Sequence, residues 1–485
     1  MPPTIRAGGP RLGSTFVTET WSISGVDLHL ELAGTRVRAA LESALREAVR
    51  TGRLGAGVRL PSSRSLAADL GIGRNTVAAA YAQLVAEGWL NARQGSVTRV
   101  AARAVPPESL AAEPSVQASR IRYDLRAGAP DLSAFPRAAW LAAGRRALRA
   151  TPYDAIGYGD LRGPLELRRA LADYLSRARG VYAPPERIVI CSGFAQGLTL
   201  LCHGLRARGA TRVATEAFGH PSHRATIAAS GLELATVSVD AKGAAVDELA
   251  GVNAALLTPA HQFPLGSTLA PDRRVRAVDW ARETDSVIIE NDYDGEFRYD
   301  RRPVGAMQAL APDHVVFAGT ASKTLAPGLR LGWLVLPTDL IDPTLAAKQL
   351  TDGPSTFDQL TMAEFIASGG YDRHVRRSRL AYRRRRDKLV TALRQHVPRA
   401  SITGVGAGLH VVVELPPGQH EDDVVARARG HGLMLRGLDA YRIGAPPLAA
   451  ALVIGYGTPP EHAFSAATAT LCAVLAPQGP PPTCV

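Results

Sequence analysis

From Ala101 to Arg120 the sequence AARAVPPESLAAEPSVQASR carries neither the 3.6-residue nor the two-residue apolar period that a buried helix or strand requires. Pro106-Pro107 stiffens it, and the stretch reads as a linker, in part extended. It divides the 485-residue chain into a short first block and a long second one, so a single small module is excluded.

The first block repeats apolar residues at helical spacing, with Val37, Leu41, Leu45 and Val49 on one stripe and Gly52, Gly55 and Gly57 ending it. Ser62 or Ser63 can cap a short second helix bearing Leu66 and Leu70. After the turn Gly71-Ile72-Gly73, a third helix starts near Arg74 and carries Val77, Tyr81, Leu84 and Val85 inward. Leu90–Ala92 and Val97–Val100 can pair as a hairpin across Arg93-Gln94-Gly95-Ser96. Helix, short helix, glycine turn, helix and hairpin is the order of a winged helix-turn-helix.

Charge agrees with that reading through its placement. The chain holds 56 Lys+Arg against 44 Asp+Glu, and only four of the basic residues are lysines, namely Lys242, Lys323, Lys348 and Lys388. Between Thr35 and Val100, ten arginines face four acids, about half of the whole excess in about an eighth of the length. Arg64, Arg74, Arg93 and Arg99 fall at the two helix starts and the wing, where such a fold meets a duplex. A solvated basic face on a small helical domain is the alternative.

The second block alternates apolar strand candidates with amphipathic helices, an α/β pattern followed from about Thr356 by an α+β tail. The strand candidates are Arg187–Cys191, Thr211–Ala214, Ala255–Thr258, Ser286–Glu290, His314–Ala318 and Trp333–Leu336. Polar residues gather at their ends, where open α/β sheets bind ligands. Thr320, Ser322 and Lys323 follow one strand, with Arg330 seven residues beyond the lysine. An amine beside two hydroxyls and a guanidinium can hold a phosphate and form a Schiff base in one place, which is what pyridoxal phosphate needs. Ser192, Gly193, Phe194 and Gln196 open a helix after another strand and offer N–H groups to the same phosphate. Glu290-Asn291-Asp292-Tyr293 ends a third strand with groups for the pyridine ring.

Taken together these segments resemble a known family. Residues 28–100 resemble the GntR-type winged helix-turn-helix through Leu60-Pro61-Ser62-Ser63-Arg64 and Gly73-Arg74-Asn75-Thr76-Val77. Residues 121–478 resemble the fold type I aminotransferases. Tyr158-Gly159-Asp160-Leu161-Arg162-Gly163, the segment Thr258–Gly266, the segment Asp292–Tyr299 and Pro327–Gly332 are close to those of the MocR subfamily, which fuses the two domains into transcription regulators. The resemblance implies a Lys323 Schiff base, phosphate binding by Thr320, Ser322 and Arg330, a Tyr293 bond to the ring hydroxyl, and His220 at the ring-stacking position. On double-stranded DNA it implies contacts from Arg64, Arg74 and Thr76, with Asn75 beside them and Gly95 at the wing tip. It also implies a homodimer.

Two departures bear on activity. The position expected to face the pyridine nitrogen holds Asn291, and a neutral amide cannot stabilise a pyridinium as a carboxylate does, unless Asp292 rotates in. The strand Ala451–Tyr456 lacks the arginine that clamps a substrate carboxylate, for which Arg436 or Arg442 are the substitutes. Both favour a sensor of the cofactor or of a small amine or amino-acid-like effector over an active aminotransferase, the alternative. The run Arg373–Lys388 carries nine basic residues on a helix and cannot turn all of them one way, so it reads as a dimer, solvated or auxiliary DNA surface. Cys191, Cys202, Cys472 and Cys484 have no metal-ligand or disulfide-framework spacing, and no run of 18 apolar residues occurs. The expectation is a cytoplasmic protein with no metal and no membrane span.

Overall fold

The structure is a computed structural model that describes residues 37–92, 97–102, 121–299, 304–444 and 448–476. These fall into two compact units, one within residues 1–116 and the other within 117–485. The linker residues 103–120, the wing residues Arg93 and Gly95, and Cys484 lie outside the described set.

In the smaller unit, α1 (Val37–Arg50), α2 (Ser63–Asp69) and α3 (Arg74–Ala86) are followed by β1 (Leu90–Asn91) and β2 (Arg99–Val100). The α1 stripe buries Leu41, Leu45, Ala48 and Val49, while Val37, on the first helical residue, stays 38% exposed. Ser62 is the α2 cap, its Oγ accepting from the Ser65 N–H at 3.1 Å, a bond worth about 1 kcal/mol. Against these, α3 packs Val77, Ala80 and Leu84, and the Tyr81 hydroxyl donates to the Pro61 carbonyl at 3.1 Å. The wing pairs Leu90 with Val100 and Asn91 with Arg99 in antiparallel register.

The larger unit is built on a seven-stranded sheet. In chain order its strands are β3 (Ile188–Cys191), β4 (Arg212–Glu216), β5 (Glu233–Val237), β6 (Ala254–Leu257), β7 (Val287–Asp292), β8 (Val315–Thr320) and β9 (Gly332–Val335). They lie in the order β3-β9-β8-β7-β6-β4-β5, all parallel except β9, which runs antiparallel to both neighbours. The inner strands are buried on both faces because helices cover both. Helix α4 (Leu165–Arg179) packs Leu167, Leu171 and Leu175 against Phe317 and Val335, and α5 (Gly193–Ala207) packs Leu198, Leu201 and Leu205 against Leu256, Ile289 and Val316. Six strands match the sequence candidates to within two residues. The seventh, β5, has the half-exposed pattern of an edge strand and no continuous apolar run, which is why the sequence did not expose it.

The tail begins later than Thr356. Helix α6 (Thr356–Ala367) still belongs to the first body, burying Met362, Phe365 and Ile366 beside Leu167 and Trp333. The boundary falls inside α7 (Gly370–His396). Its start buries Tyr371 and Val375 in that cluster, while Tyr382, Leu389 and Leu393 join a second core. That core holds the antiparallel sheet of β10 (Ser401–Thr403), β11 (His410–Glu414) and β12 (Ala451–Gly455), closed by α8 (Glu461–Leu475). Of the basic run on α7, Arg385 is buried, paired with Asp131 at 2.6 Å and Glu461 at 2.9 Å, whereas Arg373, Arg376, Arg377, Arg383, Arg384 and Lys388 are exposed. Among the described residues no helix is long and apolar enough to cross a membrane.

Candidate functional site

The carboxyl ends of β4, β6, β7 and β8 open into a cavity of about 410 Å³, closed on its far side by residues 124–129 and by Leu409, Arg436, Tyr441 and Thr458. Lys323 sits in its wall, one short turn after β8, and its ammonium donates to the carbonyl of Gly128. Burial lowers the Lys323 pKa against the opposing pull of Asp294, which suits an amine that must lose a proton to act as a nucleophile.

Beside the lysine lies an anion cradle. Thr320 and Ser322 join hydroxyls at 2.9 Å, and the Ser322 N–H donates to Thr320 Oγ1 at 3.2 Å. Arg330 holds a left-handed backbone at φ +52, a strain on the order of 1–3 kcal/mol for a residue with a side chain, and aims its guanidinium at the Ser192 carbonyl 2.7 Å away. Gly193, at φ +76, opens α5, and a Cβ there would lie 3.4 Å from that guanidinium. Two hydroxyls, a guanidinium and a helix N-terminus therefore converge at one end of the cavity. Gln196 does not join them: its amide oxygen accepts from the Ser192 N–H at 2.6 Å and its nitrogen donates to Thr351 and the Asp352 carbonyl. Phe194 and His220 both line the cavity, Phe194 meeting His223 edge-on at 4.8 Å. His220 also caps helix Pro221–Ala229, and burial holds both histidines below the usual imidazole range, His223 at about 3.

On β7 the alternation of a strand decides which side chain faces the cavity. Asn291 lines the cavity with Thr215 and Leu256, and Thr215 Oγ1 has no hydrogen-bond partner. Asp292 points to the reverse face, where the Arg179 guanidinium donates to it at 2.6 Å. Burial opposes the Arg179 charge, yet Asp292 raises its pKa. Glu290, on the same reverse face, accepts from the Met307 and Gln308 N–H groups at 2.9 Å and is pushed up to about 7 by burial. Rotation of Asp292 into the cavity would strand the Arg179 charge in the core.

Of the two substitute arginines, Arg436 lines the cavity, over the Tyr441 ring at 5.7 Å, with its carbonyl accepting from Val453 N–H on β12. Arg442 pairs with Asp439 at 2.5 Å and does not line it. Two wall residues, Glu216 and His410, and the buried His261 behind them had no role assigned from the sequence. Glu216 accepts from Thr258 Oγ1 at 2.5 Å and Gln262 at 3.2 Å and is raised by burial to about 7, His410 opens β11, and His261 lies in segment 258–266 without lining the cavity. A histidine and glutamine within an otherwise apolar strand exit were the available signal. On the smaller unit, Arg64, Arg74 and Asn75 are exposed along the starts of α2 and α3 with Thr76 half-buried, and Arg99 is tied to the Gly57 carbonyl at 2.9 Å.

A sheet whose strand ends hold a half-buried lysine and an anion cradle, joined in one chain to a winged helix-turn-helix, defines a regulator with an aminotransferase-like body. Residues 123–436 match the family "Aminotransferase class I and II", and residues 38–100 match "Bacterial regulatory proteins, gntR family". The chain belongs to the MocR-type regulators of the gntR family, HTH-type transcription regulators that carry an aminotransferase class I and II domain. Relatives include the pyridoxine biosynthesis transcriptional regulator PdxR of Corynebacterium glutamicum, 33% identical over 88% of this chain and 93% of that one. The probable rhizopine catabolism regulatory protein MocR of Rhizobium meliloti is 31% identical over 85% and 88%. Among solved structures, an archaeal alanine:glyoxylate aminotransferase is 25% identical, covering 73% of this chain and 90% of its own with a TM-score of 0.66.

Proposed function

We propose that the chain is a cytoplasmic homodimeric regulator that binds double-stranded DNA through Arg64, Arg74, Asn75 and Thr76, and holds pyridoxal phosphate in the cavity as the sensing group. The residues present fit the cofactor. Lys323 would hold it covalently, Thr320, Ser322, Arg330 and the start of α5 would take its phosphate, His220 and Phe194 would flank its ring, and Tyr293 would donate to its ring hydroxyl. When bound, such a cofactor supplies an electrophilic carbon and an electron sink.

The observation that carries the sensor reading is the cavity floor. Asn291 is the β7 side chain that reaches it, and the neighbouring acids are engaged behind the strand. An amide leaves the ring nitrogen without a counter-charge, so the sink is weak and binding is favoured over turnover. Arg436 supports a small amino-acid-like effector, because it is the substitute arginine that reaches the cavity and among the described residues no carboxylate pairs with it.

Purified protein incubated with pyridoxal phosphate should show a visible absorbance that Lys323→Ala abolishes, and the cofactor should alter its footprint on the DNA flanking its own gene. Absence of the band in the wild type would overturn the cofactor reading. A footprint unaffected by the cofactor and by Lys323→Ala would leave the larger unit a dimerisation body.

A further inference from the structure

Behind Tyr293 lies a polar cluster in which the site described above gives a role to Tyr293 alone. Tyr293, Asp294, His261 and His410 come from three segments, and Asp294, His261 and His410 are all buried. His261 Nδ1 lies 2.8 Å from Asp294 Oδ2 and 3.1 Å from the Tyr293 hydroxyl, and the His261 and Tyr293 rings stack at 6.1 Å. His410 Nε2 lies 2.9 Å from the Pro264 carbonyl, and its ring is 5.2 Å from that of His261. The close fit depends on Gly408, where a Cβ would come within 2.3 Å of His261 Cε1 and 2.5 Å of Asp294 Oδ2.

The proton positions follow from what each partner can do. A backbone carbonyl only accepts, so His410 carries its proton on Nε2. Burial, reinforced by His261, lowers His410 to about 4 and keeps it neutral. As a carboxylate, Asp294 also only accepts, so His261 carries its proton on Nδ1 and points it at Asp294. That same N–H lies within reach of the Tyr293 oxygen, which accepts its weaker branch. One Asp294 oxygen is taken by His261 and the carboxylate also draws on the phenol, so the Tyr293 O–H is held between Asp294 and the cavity, free to donate to an oxygen that enters there. The groups facing Tyr293 are Glu216, Asp294, His261 and Tyr456, and burial followed by Asp294 holds its pKa well above the ordinary value, so it keeps the proton it donates. Asp294, His261 and His410 offer ligand atoms within 4.8 Å of one another, but the engaged nitrogens of both histidines make a hydrogen-bond relay and not a ligand set.

We propose that Asp294 and His261 are positioning residues that hold the Tyr293 hydroxyl as a donor into the Lys323 chamber and so set the basicity of whatever oxygen that hydroxyl meets there. The inference rests on the cofactor reading for its consequence: the pH at which the bound cofactor's visible band titrates is set in part by residues that never touch it.

The test is a spectral pH titration of cofactor-loaded wild type, Tyr293→Phe, Asp294→Asn and the double variant. Loss of the donor makes the ring oxygen more basic and draws the neighbouring proton closer, so Tyr293→Phe should raise the midpoint by about half to one pH unit, the equivalent of one hydrogen bond. Asp294→Asn frees His261 to accept from the phenol and should raise it in the same direction, and the double variant should go no further than Tyr293→Phe. An unchanged midpoint in Asp294→Asn, or a shift that adds in full to that of Tyr293→Phe, would overturn the proposal. If the wild type shows no band, the cofactor reading fails separately, and nitrogen-15 histidine spectra of the cofactor-free protein decide the positioning. His261 protonated on Nδ1 in the wild type and on Nε2 in Asp294→Asn supports it, and Nε2 protonation in the wild type refutes it.

Discussion

Replacing Asn291 by aspartate should move the protein from sensor toward aminotransferase. The new carboxylate would stand on the cavity face of β7 while Glu290 and Asp292 remain engaged behind it, so nothing in the strand competes for the ring nitrogen. At about 3 Å and an effective dielectric near 20, the gross attraction to a pyridinium is about 5 kcal/mol. After desolvation, a charge-assisted hydrogen bond retains about 1.5–3 kcal/mol. If that difference appears in the transition state, half-transamination of amino acids should accelerate about 10- to 150-fold. Single-turnover loss of the visible band with excess amino acid measures it directly. Without cofactor, burial of the added acid beside Leu256 and Thr215 should raise its folded-state pKa. Its contribution to stability is then complete below the ordinary carboxylate value and lost as pH rises through the raised one, so the cofactor-free variant should melt lower at neutral pH and recover on loading. A loaded, folded variant no faster than wild type would refute the assignment of Asn291 to the ring nitrogen.

Three further outcomes follow from other parts of the chain. Arg74→Ala should weaken specific DNA binding by about 1–3 kcal/mol if the side chain reads a base, and equal loss on specific and random duplexes in a competition titration would make it a phosphate contact. Glu216, raised by burial to about 7, keeps in the folded chain a proton that the unfolded chain releases, so its stabilising contribution is full below about pH 4.5 and lost by about pH 7. Thermal melts of Glu216→Gln should lose less stability across that window than wild type, without flattening entirely, because Glu290 and Glu296 are raised to about 7 as well; equal slopes would contradict this. Arg385→Ala breaks a buried pair with Asp131 and strips donors from the Tyr456, Gly457 and Pro459 carbonyls, and urea denaturation should show a loss on the order of 3–5 kcal/mol.

What the sequence conveyed was local. The α3 stripe, the Ser62 cap, six strands and the loop from Thr320 to Lys323 are set by short-range periodicity and composition, and Lys323 stood out because the chain has so few amines. Whether Asn291 or Asp292 meets the cavity was left open by the sequence and is decided by the Arg179 partner behind the strand. What was hidden depends on pairs far apart in the chain: Arg179 with Asp292, Gly128 with Lys323, Asp131 with Arg385. No period links such residues, and only the folded sheet brings them together. Gln196 shows the same limit at short range, since its place in the first turn of α5 was readable but the rotation that sends it to Asp352 was not. The tail boundary inside α7 was equally invisible, because one uninterrupted helix serves two cores.

The segment 121–131 is the first described stretch after the linker sequence, and it also forms the far wall of the cavity. It lends Asp124, Arg126 and Gly128 to that wall and is pinned at one point by the Lys323 ammonium and at another by Arg385. The lysine can give its nitrogen to a ligand or its hydrogen bonds to Gly128 in full, but not both. Ligation and the conformation of residues 121–131 are therefore coupled variables of one free-energy function, and whatever shifts this segment must alter ligand affinity by the same factor that the ligand alters the segment.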